Sequence, residues 1–226
     1  MLHKVVLRDP AAAQWMVFTN PVDVLHTHDI NDVVSVIENA EQRVSSENLY
    51  VAGFLSYEAA PAFDPAFSTR NPGPLPLVCL GLFRQPELVD QLPLCATNDR
   101  TSLDWGIAVE RDRYCENVAK IRHQIACGNT YQVNYTVRQL AAPVEDTWAL
   151  FHAIAIDAPY AAYIEADAFA IVSASPELFF ELSANKIVCR PMKGTAARGM
   201  TTQEDELIRA RLQRSVKDRA ENVMIA

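Results

Sequence analysis

A chain of 226 residues has room for one large domain or two small ones. Half of it is apolar and 21% is charged, the profile of an ordinary globular protein rather than a disordered or fibrous one. The formal net charge of −8 leaves no basic surface to neutralise phosphates, which argues against nucleic acid or an anionic membrane as partner. The same charge means that an anionic substrate needs local cations or a metal where it binds.

Five cysteines (Cys79, Cys95, Cys115, Cys127 and Cys189) are scattered without Cys-x-x-Cys pairing, as expected of reduced thiols in the cytosol. The opening MLHKVVLRDP has no apolar core of signal-peptide length, and no apolar run approaches a membrane span. These features predict a cytoplasmic protein.

In chain order, Trp15 to Thr19 reads as a strand, Asn20-Pro21 as a turn, and Val22 to His26 as extended. His26 and His28 share one side of a strand, but no third ligand lies nearby, so an edge position is expected rather than a metal site. Asp29 is placed to cap a helix with Ile30, Val33, Val34, Ile37 and Ala40 as its apolar stripe. Leu49 to Tyr57 is apolar on both faces and predicts a buried central strand, with Gly53 marking a close backbone approach. Ser68 to Pro76 is a Pro/Gly-rich loop, Leu77 to Phe83 a further strand, and Gln85 to Thr101 irregular.

The clearest helix carries Tyr114, Val118, Ile121 and Ile125 at helical spacing, with Gly128 at the C-terminal cap. Asn129 to Arg138 then alternates apolar Tyr131, Val133, Tyr135 and Val137 with polar residues, which predicts a strand with one dry face. Glu145 to Ile156 is a helix whose stripe is Trp148, Phe151 and Ala155, with His152 at its border. Asp157 to Ile164 and Phe169 to Ser175 are strands.

The stretch from Ser173 to Gly199 reads as a hairpin: an apolar strand through Phe179, Phe180 and Leu182, a turn at Ala184-Asn185, and a return strand Lys186 to Arg190. Pro191 cannot donate to a ladder and ends the return strand. Met192 to Thr195 is then a loop with exposed backbone and an unpaired ammonium, and the hairpin brings Glu177 and Lys193 towards one end. A lysine beside a carboxylate, in a pocket that desolvates both, is one way to make an amine nucleophilic near neutral pH. After Gly199, Thr202 with Asp205 predicts a helix cap before Leu207, Ile208 and Leu212, and Ser215 with Asp218 opens a second helix, Val216 to Ile225.

Ser175-Pro176-Glu177 followed by Arg190-Pro191-Met192-Lys193-Gly194-Thr195 resembles the paired signature of the chorismate-utilising enzymes. The lysine resembles their aminodeoxychorismate synthase component I branch, since anthranilate synthase component I carries alanine there. The run from Gly53 through Tyr57-Glu58-Ala59-Ala60-Pro61 to Asp64 resembles the shorter aminodeoxychorismate synthases, including those fused to a lyase domain. The helix leading into Tyr131-Gln132-Val133-Asn134 resembles the start of the chorismate-binding domain, and Lys217 to Ile225 resembles the family's Asp-Arg-Ala-Glu-Asn helix.

That resemblance implies an α+β fold of layered antiparallel sheets with outer helices, anthranilate-synthase-like. Residues 1–103 would be the N-terminal region and 104–226 the first part of the chorismate-binding domain. The implied activity is replacement of the 4-hydroxyl of chorismate by ammonia, giving 4-amino-4-deoxychorismate for p-aminobenzoate and folate synthesis. Ammonia would come from a glutamine amidotransferase subunit. Lys193 would be the covalent nucleophile and Glu177 the proton-handling carboxylate. Gly194, Thr195 and Gln132 would line the substrate, and Glu221 would hold Mg²⁺. Gln132 stands where isochorismate and salicylate synthases carry a basic lysine, and a glutamine cannot take a proton from water. Pro159, Tyr160 and Ala161 match the family's tryptophan pocket, although the Leu-Leu-x-Ser-type segment that completes it is not found.

The family's second metal glutamate and its Arg-Asn-Asp and Gly-Ala-Pro-Lys segments have no counterpart among the 226 residues. The expectation is an N-terminal portion with little activity of its own. Anthranilate synthase component I is the close rival reading, and a non-catalytic segment that docks the amidotransferase is the other.

Overall fold

The computed structural model describes residues 1–93 and 103–225. The chain opens with β1 (Leu2–Asp9), β2 (Gln14–Thr19) and β3 (Asp23–Thr27), then α1 (Val33–Glu47), β4 (Tyr50–Leu55), β5 (Val78–Phe83) and β6 (Glu87–Val89). There follow β7 (Gly106–Ile107), α2 (Arg111–Ala126), β8 (Gln139–Leu140), α3 (Thr147–Ile154), β9 (Tyr160–Ala166) and β10 (Ala170–Ser175). The hairpin β11 (Leu178–Ser183) and β12 (Lys186–Arg190) leads to α4 (Thr202–Arg214) and α5 (Val216–Ile225). Contacts group the chain into two compact units, Met1–Cys95 with Thr147–Ala226, and Ala96–Asp146.

The first unit is layered. One antiparallel sheet runs β10-β9-β1-β2-β6 and another runs β3-β5-β4. Leu2, Val5, Phe18 and Ile164 of the larger sheet meet Ala52, Cys79 and Phe83 of the smaller one, which places a core between them. Helix α1 covers the outer face of the smaller sheet through Val33, Ala40 and Leu80. Helix α3 covers the outer face of the larger one, where Phe151 and Ala155 pack with Val6, Trp15 and Tyr163. Two sheets face to face with helices outside is the architecture expected.

Several local expectations change in this frame. The first residues, read only as lacking a leader, form β1, the centre of the five-stranded sheet. Strand β4, expected to be central, is an edge strand with Tyr50, Val51 and Leu55 exposed; the wholly buried β5 takes the middle position. Gly53 is the predicted close approach: a Cβ there would lie 2.0 Å from the Cys79 carbonyl oxygen. On α1, Val33, Ile37 and Ala40 pack as expected, while Val34 is exposed and Val36 and Val44 join the stripe instead. Asp29 caps a short 3₁₀ turn, Ile30–Asp32, that precedes the α-helix. His26 and His28 stand with ring centres 6.5 Å apart, and no group of three metal-ligating side chains occurs among the described residues.

In the second unit α2 ends as predicted, with Gly128 at φ +77. The alternating segment 130–138 is not a strand. Among the described residues it has no ladder partner until Gln139 pairs with Ile107. Instead Tyr135 turns back on the helix, its hydroxyl accepting from Asn117 Nδ2 at 2.7 Å and its ring 5.4 Å from that of Tyr114. Alternation marks a surface with two faces, and only a neighbouring strand turns it into a sheet. Cys79, Cys115, Cys127 and Cys189 are free thiols, and Cys95 lies outside the described residues.

Candidate functional site

The hairpin forms as expected. Ser183 pairs with Lys186 across a two-residue turn in which Ala184 takes φ 51, and Leu178 pairs with Arg190 at the open end. Just before β11, Ser175 Oγ accepts from the Glu177 N–H and donates to the Glu177 carbonyl, which shapes the Ser-Pro-Glu step into a tight turn. That turn directs the Glu177 side chain across to the loop after β12, where Oε1 accepts the Met192 N–H at 3.0 Å. Glu177 is therefore fixed one residue from Lys193, at the hairpin end where the sequence placed them both. Among the described residues, the Lys193 ammonium enters no ion pair.

The backbone of the loop is tied down, where the sequence had suggested that it would be free. Asn222 Nδ2 on α5 donates to the Lys193 carbonyl at 3.2 Å. Gly194 has φ +76, and a Cβ there would come within 2.6 Å of Asp218 Cγ on the same helix. At the far end Arg198 Nε donates to Asp205 at 2.7 Å and the Gly199 N–H adds a second bond at 3.0 Å. The guanidinium, and then that N–H, hold the Asp205 carboxyl below its usual range. Asp205 is thus spent on the loop. The helix cap falls one residue earlier than expected: Thr201 Oγ1 accepts from Glu204 N, and Glu204 Oε2 accepts from Met200 N. Ser215 Oγ does accept from Asp218 N at the start of α5.

A cleft of about 640 Å³ opens beside the hairpin, lined by Ser175, Glu177, Phe180, Cys189, Pro191 and Ile225 among others. Lys193, Gly194 and Thr195 adjoin this wall through Pro191 without lining it. Phe179 also lines this cleft and is 86% exposed, so the hairpin presents open apolar surface there. Glu221 is half-buried on α5, with Lys217 Nζ 3.8 Å from its Oε1. Gln132 belongs to the second unit, exposed in the irregular segment, and its carbonyl accepts from Thr130 Oγ1. Of the tryptophan-pocket candidates, Pro159 is exposed, Tyr160 pairs with Ser175 across β9 and β10, and Ala161 is buried in the core under α3. Mg²⁺ takes one or two protein carboxylates and fills its shell with water and substrate oxygen; on α5 Glu221 offers a single carboxylate, with Lys217 beside it.

A profile of the family described as chorismate binding enzyme matches residues 2–226. The chain belongs to that family. Among curated relatives, aminodeoxychorismate synthase component 1 of Klebsiella aerogenes is 38% identical over 135 residues, 59% of this chain and 30% of that protein. The Escherichia coli (strain K12) protein of the same name is 37% identical over 124 residues, 54% of this chain and 27% of its own. The chloroplastic anthranilate synthase alpha subunit 1 of Arabidopsis thaliana is 30% identical over 116 residues, 50% and 20%. The match thus spans less than a third of each of these relatives. Among solved structures, one described as a 2,3-dihydroxybenzoate-specific isochorismate synthase from Bacillus anthracis superposes with a TM-score of 0.63 at 16% identity. It covers 99% of this chain and 57% of that one, and it establishes the chorismate-binding fold.

Asn222 and Asp218 are the residues that sequence reasoning missed at the site. The only signal for them was their i, i+4 spacing on α5, which puts both on one helical face.

Proposed function

We propose that this chain carries the nucleophile half of an aminodeoxychorismate synthase component I, the enzyme that converts chorismate and ammonia to 4-amino-4-deoxychorismate. The observation that supports the reading is the placement of Glu177 at the lysine loop: its carboxylate accepts the N–H of Met192, the residue before Lys193, at 3.0 Å. In the proposed reaction Glu177 takes a proton from the Lys193 ammonium, and the freed amine forms a C–N bond to the chorismate ring. The ring double bonds shift, the C–O bond to the 4-hydroxyl breaks, and the hydroxyl leaves as water with a proton from Glu177. Ammonia then forms a C–N bond at the 4-position, Lys193 departs, and Glu177 takes back a proton. Two covalent steps replace one difficult substitution.

Glu221 is the chain's carboxylate for Mg²⁺, which when bound neutralises a substrate carboxylate. Thr195 offers a hydroxyl and Gly194 a close backbone approach to substrate. The relatives named aminodeoxychorismate synthase support this activity, and the ammonia source is a glutamine amidotransferase subunit.

The test is product analysis by mass spectrometry with chorismate, ammonium and Mg²⁺. It is run on the 226-residue chain and on the same chain joined to the C-terminal remainder of the Escherichia coli relative. Aminodeoxychorismate whose formation stops in Lys193→Ala is the expected result. Anthranilate as product, or undiminished turnover in Lys193→Ala, overturns it.

A further inference from the structure

Among the described residues, the side chains that bond the backbone of Met192 and Lys193 are those of Glu177 and Asn222. Asn222 Nδ2 donates to the Asp218 carbonyl at 2.8 Å and to the Lys193 carbonyl at 3.2 Å. The first bond, to the backbone four residues back, fixes the orientation of the amide. The second then fixes the loop. One turn earlier on the same helical face, Asp218 closes against Gly194, where φ +76 and the 2.6 Å approach leave room only for glycine. Two consecutive loop residues are thus held by two residues of one rigid helix, which also carries Glu221.

We propose that Asn222 is a positioning residue for Lys193: its amide N–H anchors the Lys193 carbonyl and so sets the direction in which the reactive side chain leaves the backbone. The inference rests on reading Lys193 as the nucleophile. It requires a hydrogen-bond donor at position 222, and an apolar group of the same shape does not replace it. Through α5, the nucleophile loop and the metal carboxylate move as one body.

Trypsin cleavage after Lys193 provides the test, because the Lys193–Gly194 peptide must leave Asn222 to enter the protease. Asn222→Leu keeps the shape and removes the donor; Asn222→His restores an N–H at the position of the amide. In the 226-residue chain, Asn222→Leu is expected to be cut after Lys193 about fivefold faster than the parent, the loss of one hydrogen bond. Cleavage after Lys120 in α2 stays unchanged, and Asn222→His returns towards the parent rate. An unchanged rate in Asn222→Leu overturns the inference, as does an Asn222→His variant cut as fast as Asn222→Leu. So does acceleration at Lys120 and Lys193 together, which marks general loosening. None of these readouts needs chorismate: an inactive Lys193 with a protected loop counts against the reaction alone, and a reactive Lys193 on an unprotected loop counts against Asn222 alone.

Discussion

The Glu177 carboxylate accepts the backbone N–H of Met192 at 3.0 Å, so the acid and the lysine loop are tied by a bond across the open end of the hairpin. In the proposed reaction this side chain has two tasks, holding the loop and handling a proton, and substitution separates them. Glu177→Gln keeps an acceptor and loses the titratable proton. It is expected to retain hydrogen-exchange protection at the Met192 amide while lowering turnover by about 10²–10⁴. Glu177→Ala is expected to lose both. Equal protection in all three proteins would show that the bond does not hold the loop.

Gly194 and Gly128 share nearly the same backbone, φ +76 and φ +77, in different surroundings. A Cβ added at Gly128 would meet no atom within 4 Å, whereas one at Gly194 would meet Asp218. Gly128→Ala should therefore cost about 1 kcal/mol, from conformation alone. Gly194→Ala carries the same cost plus displacement of Asp218, so urea unfolding should show the larger loss for position 194. Equal losses would mean that Asp218 moves aside freely.

Gly53 meets backbone, which has less freedom to yield. With a Cβ at 2.0 Å from the Cys79 carbonyl and 2.9 Å from Leu80 Cα, alanine must push β4 away from β5. Gly53→Ala is expected to destabilise the chain by about 3 kcal/mol or more, at the upper end for overpacking. Chemical denaturation measures it. A loss below about 1 kcal/mol would contradict the close approach.

His152, next to Phe151 on α3, is pushed below its ordinary value of 6.5 first by burial and then by the Lys4 ammonium, against a bond to the Pro93 carbonyl. Its Nε2 finds no partner among the described residues. Above pH 6.5 folded and unfolded chains both hold it neutral. As pH falls below 6.5 the unfolded chain protonates first, so stability declines until the lower folded value is reached. His152→Phe should lose less stability than the parent as pH falls through 6.5. Parallel pH profiles would remove His152 as the cause.

Much of the fold was legible because it depends on neighbours in sequence. The turn at Ala184-Asn185, the glycine after α2, the stripe of Phe151 and Ala155, and the pairing of Ser-Pro-Glu with Arg-Pro-Met-Lys are local patterns with local causes. Gly53 was legible too, since an isolated glycine in an apolar run marks a close approach wherever the partner lies. What the chain alone did not disclose were choices made by distant partners. Leu2–Asp9 became the middle of a sheet because β2 and β9 pair on its two sides. Segment 130–138 alternates as well as any strand, yet stays irregular because among the described residues no strand pairs with it. Asp205 left its expected capping role for Arg198, and the cap moved one residue back, to Thr201 with Glu204.

The candidate site divides in the same way. Residue type and order supplied the groups that the proposed reaction uses: an amine at 193, carboxylates at 177 and 221. Tertiary structure alone decided how they are held, through Glu177 on the Met192 N–H and Asn222 on the Lys193 carbonyl. The physical reason is that backbone groups look alike in every sequence. Which side chain satisfies a given N–H or carbonyl is settled only when helix α5 and the hairpin come together.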